Sequence, residues 1–217
     1  MAKQIEFLSG GRGTAQNIYC IGRNYAEHAA ELNNPLPDEP VVFLKSGACL
    51  RGLGDAGVIA FPEETFHHEA ELVLYIGRRI EDPKDCNWDA VSHLALGLDL
   101  TRREIQTEMK QKGLPWTRAK SFRGSAIVSA FIDKSALDFK KSIEFELKVN
   151  GDVRQTGQTA MMLFNIEAML TTLVRLHPLE QGDLIFTGTP KGVGPVRLGD
   201  KLELSFKGTT YLFTGQL

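Results

Sequence analysis

The stretch His67-His68-Glu69-Ala70-Glu71-Leu72-Val73-Leu74-Tyr75-Ile76 decides the fold. Leu72, Leu74 and Ile76 alternate with Glu71, Val73 and Tyr75, which is the period of two of a β-strand. Glu69 and Glu71 therefore project to one side, and Leu72 and Leu74 to the other. Two carboxylates side by side repel, and a fold accepts them only with compensation. A bound cation is the usual compensation. The plain alternative is a solvated polar face on an edge strand. His67 shares the face of Glu69 and is within reach of such a cation, but packing or an outer role suits it better.

A second stretch, His93-Leu94-Ala95-Leu96-Gly97-Leu98-Asp99-Leu100, also alternates. Four leucines form one face, and Ala95, Gly97 and Asp99 the other. Thr101-Arg102-Arg103-Glu104 has the form of a capping box, so a helix is predicted from about Arg102 to Lys112, stopped by Gly113 and Pro115. An acid at the carboxyl end of a strand, just before a helix, is a common place for a functional group. Glu69, Glu71 and Asp99 would together offer three hard oxygen ligands, a set that suits Mg²⁺ or Mn²⁺.

Bulk properties narrow the classes. The 217 residues carry 25 Lys and Arg against 27 Asp and Glu, a net charge of −2, so no general basic surface for nucleic acid is expected. Cys20, Cys49 and Cys86 are scattered and read as small buried apolar residues, not a disulfide framework. No segment approaches the ~20 apolar residues of a membrane span, and the N-terminus lacks a secretory pattern. The expectation is a cytoplasmic protein with no membrane partner. Residues 1–16 read as an N-terminal arm and residues 17–217 as a single catalytic domain.

Elsewhere, Arg23 to Leu32 reads as a short helix stopped by Asn33-Asn34-Pro35. It puts His28 and Glu31 on one face, either as an exposed pair or as a carboxylate orienting a general base. Lys45 ends the strand Val41–Leu44 and reads as a solvated end residue or a site cation. A helix is predicted from Trp88 towards the Asp99 strand. Residues 113–122 read as a loop, where Lys120 would face solvent. Arg103 and Gln106 share a helix face, where solvent exposure is the ordinary expectation and an anionic ligand the alternative. Asn150-Gly151 signals a type I′ hairpin. Residues 163–176 read as an amphipathic helix, with Met161 and Met162 in the core. Thr187 to Pro195 is a Gly/Pro-rich loop able to cradle an anion, or simply a tight turn.

Five motifs in order resemble the fumarylacetoacetate hydrolase family. They are Gly22-Arg23-Asn24-Tyr25 with His28 and Glu31; His67-His68-Glu69-Ala70-Glu71; Leu98-Asp99-Leu100-Thr101 with Arg103 and Gln106; Gly113-Leu114-Pro115-Trp116 with Lys120-Ser121-Phe122; and Thr187 to Pro195. The short acylpyruvate hydrolase-like members are the nearest in pattern. Ser46 departs from it, since a proline often follows the lysine. The resemblance implies an α+β, strand-dominated mixed β-roll, a distorted barrel of the family's C-terminal domain type, in a homodimer. It also implies one Mg²⁺ or Mn²⁺ on Glu69, Glu71 and Asp99, and a catalytic dyad of His28 and Glu31 on a lid. Lys120 matches the active-site lysine, and Arg23, Arg103, Gln106 and Thr189 match substrate-binding positions.

The activity that follows from the resemblance is metal-dependent hydrolysis of the C–C bond of 2,4-dioxo acids, the acylpyruvates, to pyruvate and a carboxylic acid. His28 would deprotonate the attacking water, and Lys120 and the metal would stabilise the departing enolate. The same site supports two alternatives on a 2-oxo acid. One is oxaloacetate decarboxylation; the other is isomerisation or decarboxylation of 2-hydroxyhepta-2,4-diene-1,7-dioate in aromatic breakdown. A non-catalytic metal-binding protein is the competing class, disfavoured because the acids, the dyad and Lys120 are all present. A two-acid glycosidase fails because residues two apart on a strand cannot flank a glycosidic bond.

Overall fold

Seven strands lie side by side in the order Val41–Lys45, Ile18–Gly22, Leu184–Phe186, Ala70–Ile76, Val91–Asp99, Ala126–Val128, Leu50–Gly52. The computed structural model describes residues 3–32, 34–55 and 59–217. Asn33, read above as part of a helix stop, lies outside the described residues. The two edge strands of this path, Val41–Lys45 and Leu50–Gly52, are joined only by residues 46–49. An extended link of that length covers about 18 Å at ~3.3–3.6 Å per residue. Seven flat strands would separate the two edges by roughly 29 Å at ~4.8 Å per strand. The sheet must therefore curl, and it forms a half-barrel. Residues 3–15 fold as a hairpin, Lys3–Glu6 against Arg12–Ala15, and bond to Phe131 through Glu6 and Leu8.

A second sheet is antiparallel throughout, in the order Asp152–Gln158, Glu144–Val149, Lys201–Phe206, Leu212–Gln216. Asn150 and Gly151 take φ of 55° and 88°, the left-handed pair that a type I′ turn requires. Four α-helices complete the described residues: α1 (Ala26–Glu31), α2 (Arg103–Gln111), α3 (Thr117–Lys120) and α4 (Ile166–Leu176).

The decisive stretch is a central strand. Every residue from Ala70 to Ile76 is buried, so the edge-strand alternative is overturned. Leu72, Leu74 and Ile76 join Leu94, Leu96 and Leu98 in the core between the half-barrel, the second sheet and α4. Val73 and Tyr75 turn the other way, into a core with Ala95, Ile18 and Phe186. Gly97 is required there. A Cβ on it would lie 2.7 Å from Ile127 O and 2.8 Å from both Phe186 and Val73 side-chain atoms.

Several local expectations are corrected. The capping box does not form: the cap position of α2 is Arg102 and not Thr101, with no side-chain cap bond, and Thr101 Oγ1 instead donates to Asp99 O. Thr101 is held in a bridge with His67, which removes it from the helix end. The predicted Trp88 helix is one 3₁₀ turn, Trp88–Ala90, before the strand takes over at Val91. α4 begins at Ile166 because Asn165 caps it, accepting from Ala168 N. Met161 is exposed and outside the core, whereas Met162 packs against it.

Candidate active site

Strand register brings the three acids together. Ala70 pairs with Leu98 and Glu71 with Gly97, so Glu69 falls opposite Asp99, and Asp99 N donates to Glu69 O at 2.9 Å. Residues opposite one another in an antiparallel pair share a face, and a residue two further along shares it as well. The ligand atoms of Glu69, Glu71 and Asp99 all lie within 4.8 Å of one another, and all three residues are buried. The strand breaks at Glu69: Phe66–His68 pairs with Gly194–Val196, while Ala70–Ile76 joins the half-barrel.

Three cations face this cluster. Lys120 Nζ donates to Glu69 Oε2 and Asp99 Oδ2, both at 2.6 Å. Arg103 Nη2 donates to Glu69 Oε1. Lys45 Nζ lies 2.7 Å from Asp99 Oδ1, outside hydrogen-bonding geometry, and donates to the carbonyls of Leu100, Lys120 and Ser125. Lys120 is neither in a loop nor solvent-facing. It ends α3 and is buried, and Lys45 is buried as well.

Burial alone would raise the Glu69 carboxyl, but Lys120 and Arg103 beside it hold it well below the usual carboxylate range. Glu71 is pushed up by burial and by Asp99 and Glu69, against one backbone hydrogen bond from Gly188 N at 2.7 Å. Burial would lower the Lys120 ammonium, yet Asp99 and Glu69 raise it, so it acts as a cation and not as a base.

The fit to a divalent cation rests on this chemistry. The donors are three carboxylates, Asp99 Oδ1 carries no hydrogen bond, and Glu71 lacks a cationic partner among the described residues. Hard oxygens so placed suit Mg²⁺ or Mn²⁺.

His28 is buried on α1, with Nδ1 3.2 Å from Glu31 Oε2. Burial lowers its pKa further than Glu69 and Glu31 raise it. The ring is therefore neutral at pH 7, with Glu31 able to accept from Nδ1–H and leave Nε2 as the basic atom. Glu31 is held in turn by Gly192 N at 3.1 Å. The Gly/Pro-rich loop thus does cradle anions, but they are Glu71 and Glu31 of the chain itself. Gly188 has φ +99°, and a Cβ on it would meet Asn24 Cβ at 2.7 Å. Asn24, fully buried, donates to Phe164 O and Thr187 O and accepts from Phe164 N, which roots α1 beside the loop.

One cleft is lined by Arg23, His28, Glu69, Glu71, Asp99, Arg103, Gln106, Lys120 and Thr189, with Phe43, Lys110 and Trp116 in its wall. Glu31 reaches it only through His28. Gln106 is buried and accepts from Arg103 Nη1 at 2.6 Å. Thr189 Oγ1 donates to Ala70 O at 2.9 Å, which leaves it only a lone pair for a ligand. His67 stands outside the acid cluster, 3.5 Å from Arg103 Nε through Nδ1.

A model of the fumarylacetoacetate (FAA) hydrolase C-terminal family matches residues 17–214. The chain belongs to the fumarylacetoacetate hydrolase family. It is an enzyme of that family, with the family's strand-dominated α+β fold. The protein named oxaloacetate tautomerase FAHD1, mitochondrial, from Bos taurus is 42% identical over 194 residues, covering 89% of this chain and 88% of that protein. The Arabidopsis thaliana protein of the same name is 40% identical over 192 residues, covering 88% and 86%. Among solved structures, a fumarylacetoacetate hydrolase family protein from Yersinia pestis CO92 superposes with a TM-score of 0.92 at 32% identity, over 99% of this chain and 100% of that one. Fumarylpyruvate hydrolase from Pseudomonas aeruginosa, in complex with Mn²⁺ and pyruvate, gives 0.89 at 29% identity, over 99% and 95%.

Sequence reasoning about this family member passed over Gln155. It sits on the second sheet, yet its buried amide reaches the site. Oε1 accepts from Ala70 N and contacts His68 Nδ1, both at 2.9 Å, and Nε2 donates to Thr189 Oγ1 at 2.8 Å and Pro190 O at 2.9 Å. The signal was faint: one polar residue in register with buried positions of a hairpin strand. Gln155→Leu leaves several buried groups unpaired at about 1–3 kcal/mol each. Urea unfolding should show a loss of roughly 3 kcal/mol, and a loss below ~1 kcal/mol would refute the role of this network.

Proposed function

We propose that the chain is a divalent-metal-dependent enzyme of 2-oxo acids whose main activity is keto–enol chemistry on oxaloacetate. One observation carries it: three buried carboxylates within 4.8 Å of one another share a cleft with His28 and Lys120. Relatives at 40–43% identity named for oxaloacetate tautomerisation support oxaloacetate over the acylpyruvates expected from the motifs. Hydrolysis of acylpyruvates is the second reading, favoured by the His28–Glu31 pair and by the relative solved with Mn²⁺ and pyruvate. The preferred metal is Mg²⁺ or Mn²⁺.

Glu69, Glu71 and Asp99 would hold the cation, which when bound supplies Lewis-acid stabilisation of charge developing on a substrate oxygen. His28, neutral and oriented by Glu31, takes the proton from C3 of the keto form and returns it in the reverse direction. The Lys120 ammonium offsets the negative charge that appears on the C2 oxygen, and that oxygen takes a proton from solvent to give the enol, so that one proton leaves C3 and one arrives at oxygen. Arg103 and Gln106 bind the carboxylate next to it. In the hydrolytic reading the same His28 activates water instead.

The test is a substrate panel after chelation and reloading with Mg²⁺ or Mn²⁺: oxaloacetate, acetylpyruvate, fumarylpyruvate and a hydroxymuconate. Accelerated keto–enol exchange of oxaloacetate is the expected result. Pyruvate release from the acylpyruvates alone would move the assignment to the second reading. His28→Gln should slow turnover by about 10²-fold while calorimetry shows metal affinity nearly unchanged. At saturating metal the wild-type rate should fall on the acid side only, below the ordinary imidazole value near 6.5, because the lowered pKa keeps His28 neutral to below that point. An acid limb centred above pH 7 would contradict His28 as the base.

Two further proposals concern the setting. A homodimer is supported by the open edges of Leu50–Gly52 and Leu212–Gln216, which line one groove where Leu212 is exposed. Light scattering should give twice 24.0 kDa. A cytoplasmic or other reducing location is supported by three free buried cysteines. No described helix is long and apolar enough to cross a membrane.

A further inference from the structure

Two cations in the cleft, Arg23 and Lys110, form no ion pair among the described residues. The carboxylates of the acid cluster are ion-paired to Lys45, Arg103 and Lys120, and none to Arg23 or Lys110. Arg23 is held in the left-handed region, φ 58°, which is uncommon for a residue with a side chain. Its Nε is buried with no hydrogen-bond partner among the described residues. An arginine held at the expense of backbone conformation, with a buried Nε that lacks a partner among the described residues, suits a ligand anion.

Lys110 lies on α2 at the spacing 103, 106, 110, so it shares the helix face of Arg103 and Gln106. Its Nζ sits 5.4 Å from the centroid of the Trp116 ring, which also lines the cleft. Arg23, Arg103 and Lys110 line the same cleft, and burial and then the first two of these cations lower the Lys110 pKa against the pull of Glu69. Four cations therefore line the cleft: Arg23, Arg103, Lys110 and Lys120. With a divalent ion on the three acids, the cleft carries more positive charge than one carboxylate would balance.

We propose that Arg23 and Lys110 form a subsite for the second carboxylate of a dicarboxylic 2-oxo acid, leaving Arg103 and Gln106 for the first. This deepens the function proposed above and rests on it. The subsite selects oxaloacetate over acylpyruvates with a neutral acyl group. It also bears on the reaction. Loss of CO₂ moves the carboxylate's electron pair through the breaking C3–C4 bond to the C2 oxygen. Cations that stabilise the intact carboxylate oppose that shift, and leave proton exchange at C3 favoured.

The test compares oxaloacetate with its 4-amide, 2-oxosuccinamate, which differs only in that charge, on the metal-loaded full chain. Wild type should prefer oxaloacetate by at least about tenfold in kcat/KM, the effect of one charge-assisted hydrogen bond. Lys110→Gln should bring the ratio close to unity, mainly through the KM for oxaloacetate, and Lys110→Arg should restore it. Arg23→Gln, checked by its melting temperature, should act in the same direction. Equal use of both substrates by wild type, or an equal loss on both in Lys110→Gln, overturns the subsite while leaving the 2-oxo acid reading intact. Turnover of neither substrate by wild type overturns that reading, and the subsite with it.

Discussion

Glu71→Gln is expected to leave the metal-free protein at least as stable as wild type and to abolish its response to divalent cation. The amide keeps an acceptor for Gly188 N, which now binds Glu71 Oε2 at 2.7 Å, and removes a charge crowded by Asp99 and Glu69. A carboxyl whose pKa is raised in the folded state stabilises below its unfolded value. That contribution is lost as pH rises through the folded value. Metal-free wild type at pH 8 therefore carries a penalty that the amide lacks. The raised pKa also means that metal displaces a proton from Glu71, so wild-type affinity should fall as pH falls.

Loss of an outer partner of a metal ligand costs roughly 10–100-fold in affinity. Loss of a ligand itself should exceed that, and turnover should drop to background. Calorimetry in buffers of different ionisation enthalpy reads both the affinity and the proton. A Glu71→Gln chain that still gained the wild-type thermal shift from Mn²⁺, or that turned over without metal, would dispose of the acid cluster as the site.

Lys45→Met should give the largest stability loss. The ammonium lies 2.7 Å from Asp99 Oδ1 and is fully buried with three backbone carbonyls around it. Removing one member of a buried pair costs about 3–5 kcal/mol, because the partner charge remains. In a chain of this length that corresponds to a drop of roughly 10 °C in melting temperature. The loss should shrink in saturating Mn²⁺, since the metal would take over the Asp99 Oδ1 that Lys45 no longer faces, Lys120 still holding Oδ2. A melting temperature within about 2 °C of wild type in the metal-free protein would mean that Lys45 is not the counter-charge.

These two residues also show where reading the chain succeeds and where it stops. Glu71 was legible because strand periodicity is local: side chains two apart share a face whatever surrounds them. Asp99 was legible for the same reason, as the acid ending a run of small residues. Local pattern did not reach Lys45, which it left between a solvated end and a site cation, or Lys120, which only the family resemblance marked. A lysine after a short strand and one after a Pro-Trp turn look solvated in isolation. Only the tertiary fold carries both ammonium groups to one acid, Asp99. The Thr101 capping box misled in the same way, because the bridge to His67 overrode a valid local signal.

By itself, the sequence determined the strand-rich class, the two acid-bearing strands, the Asn150-Gly151 hairpin and the motif order that marks the family. All of these depend on neighbours within a few residues. The tertiary structure alone decided that both faces of the central strand are buried, that the loop of Thr187 to Pro195 binds the chain's own carboxylates, and that Gln155 reaches the site from another sheet. It also decided that Arg23 and Lys110 line one cleft, in no ion pair among the described residues. Those facts depend on contacts between segments far apart in the chain, whose closure is set by sheet curvature and packing and leaves no mark on local periodicity.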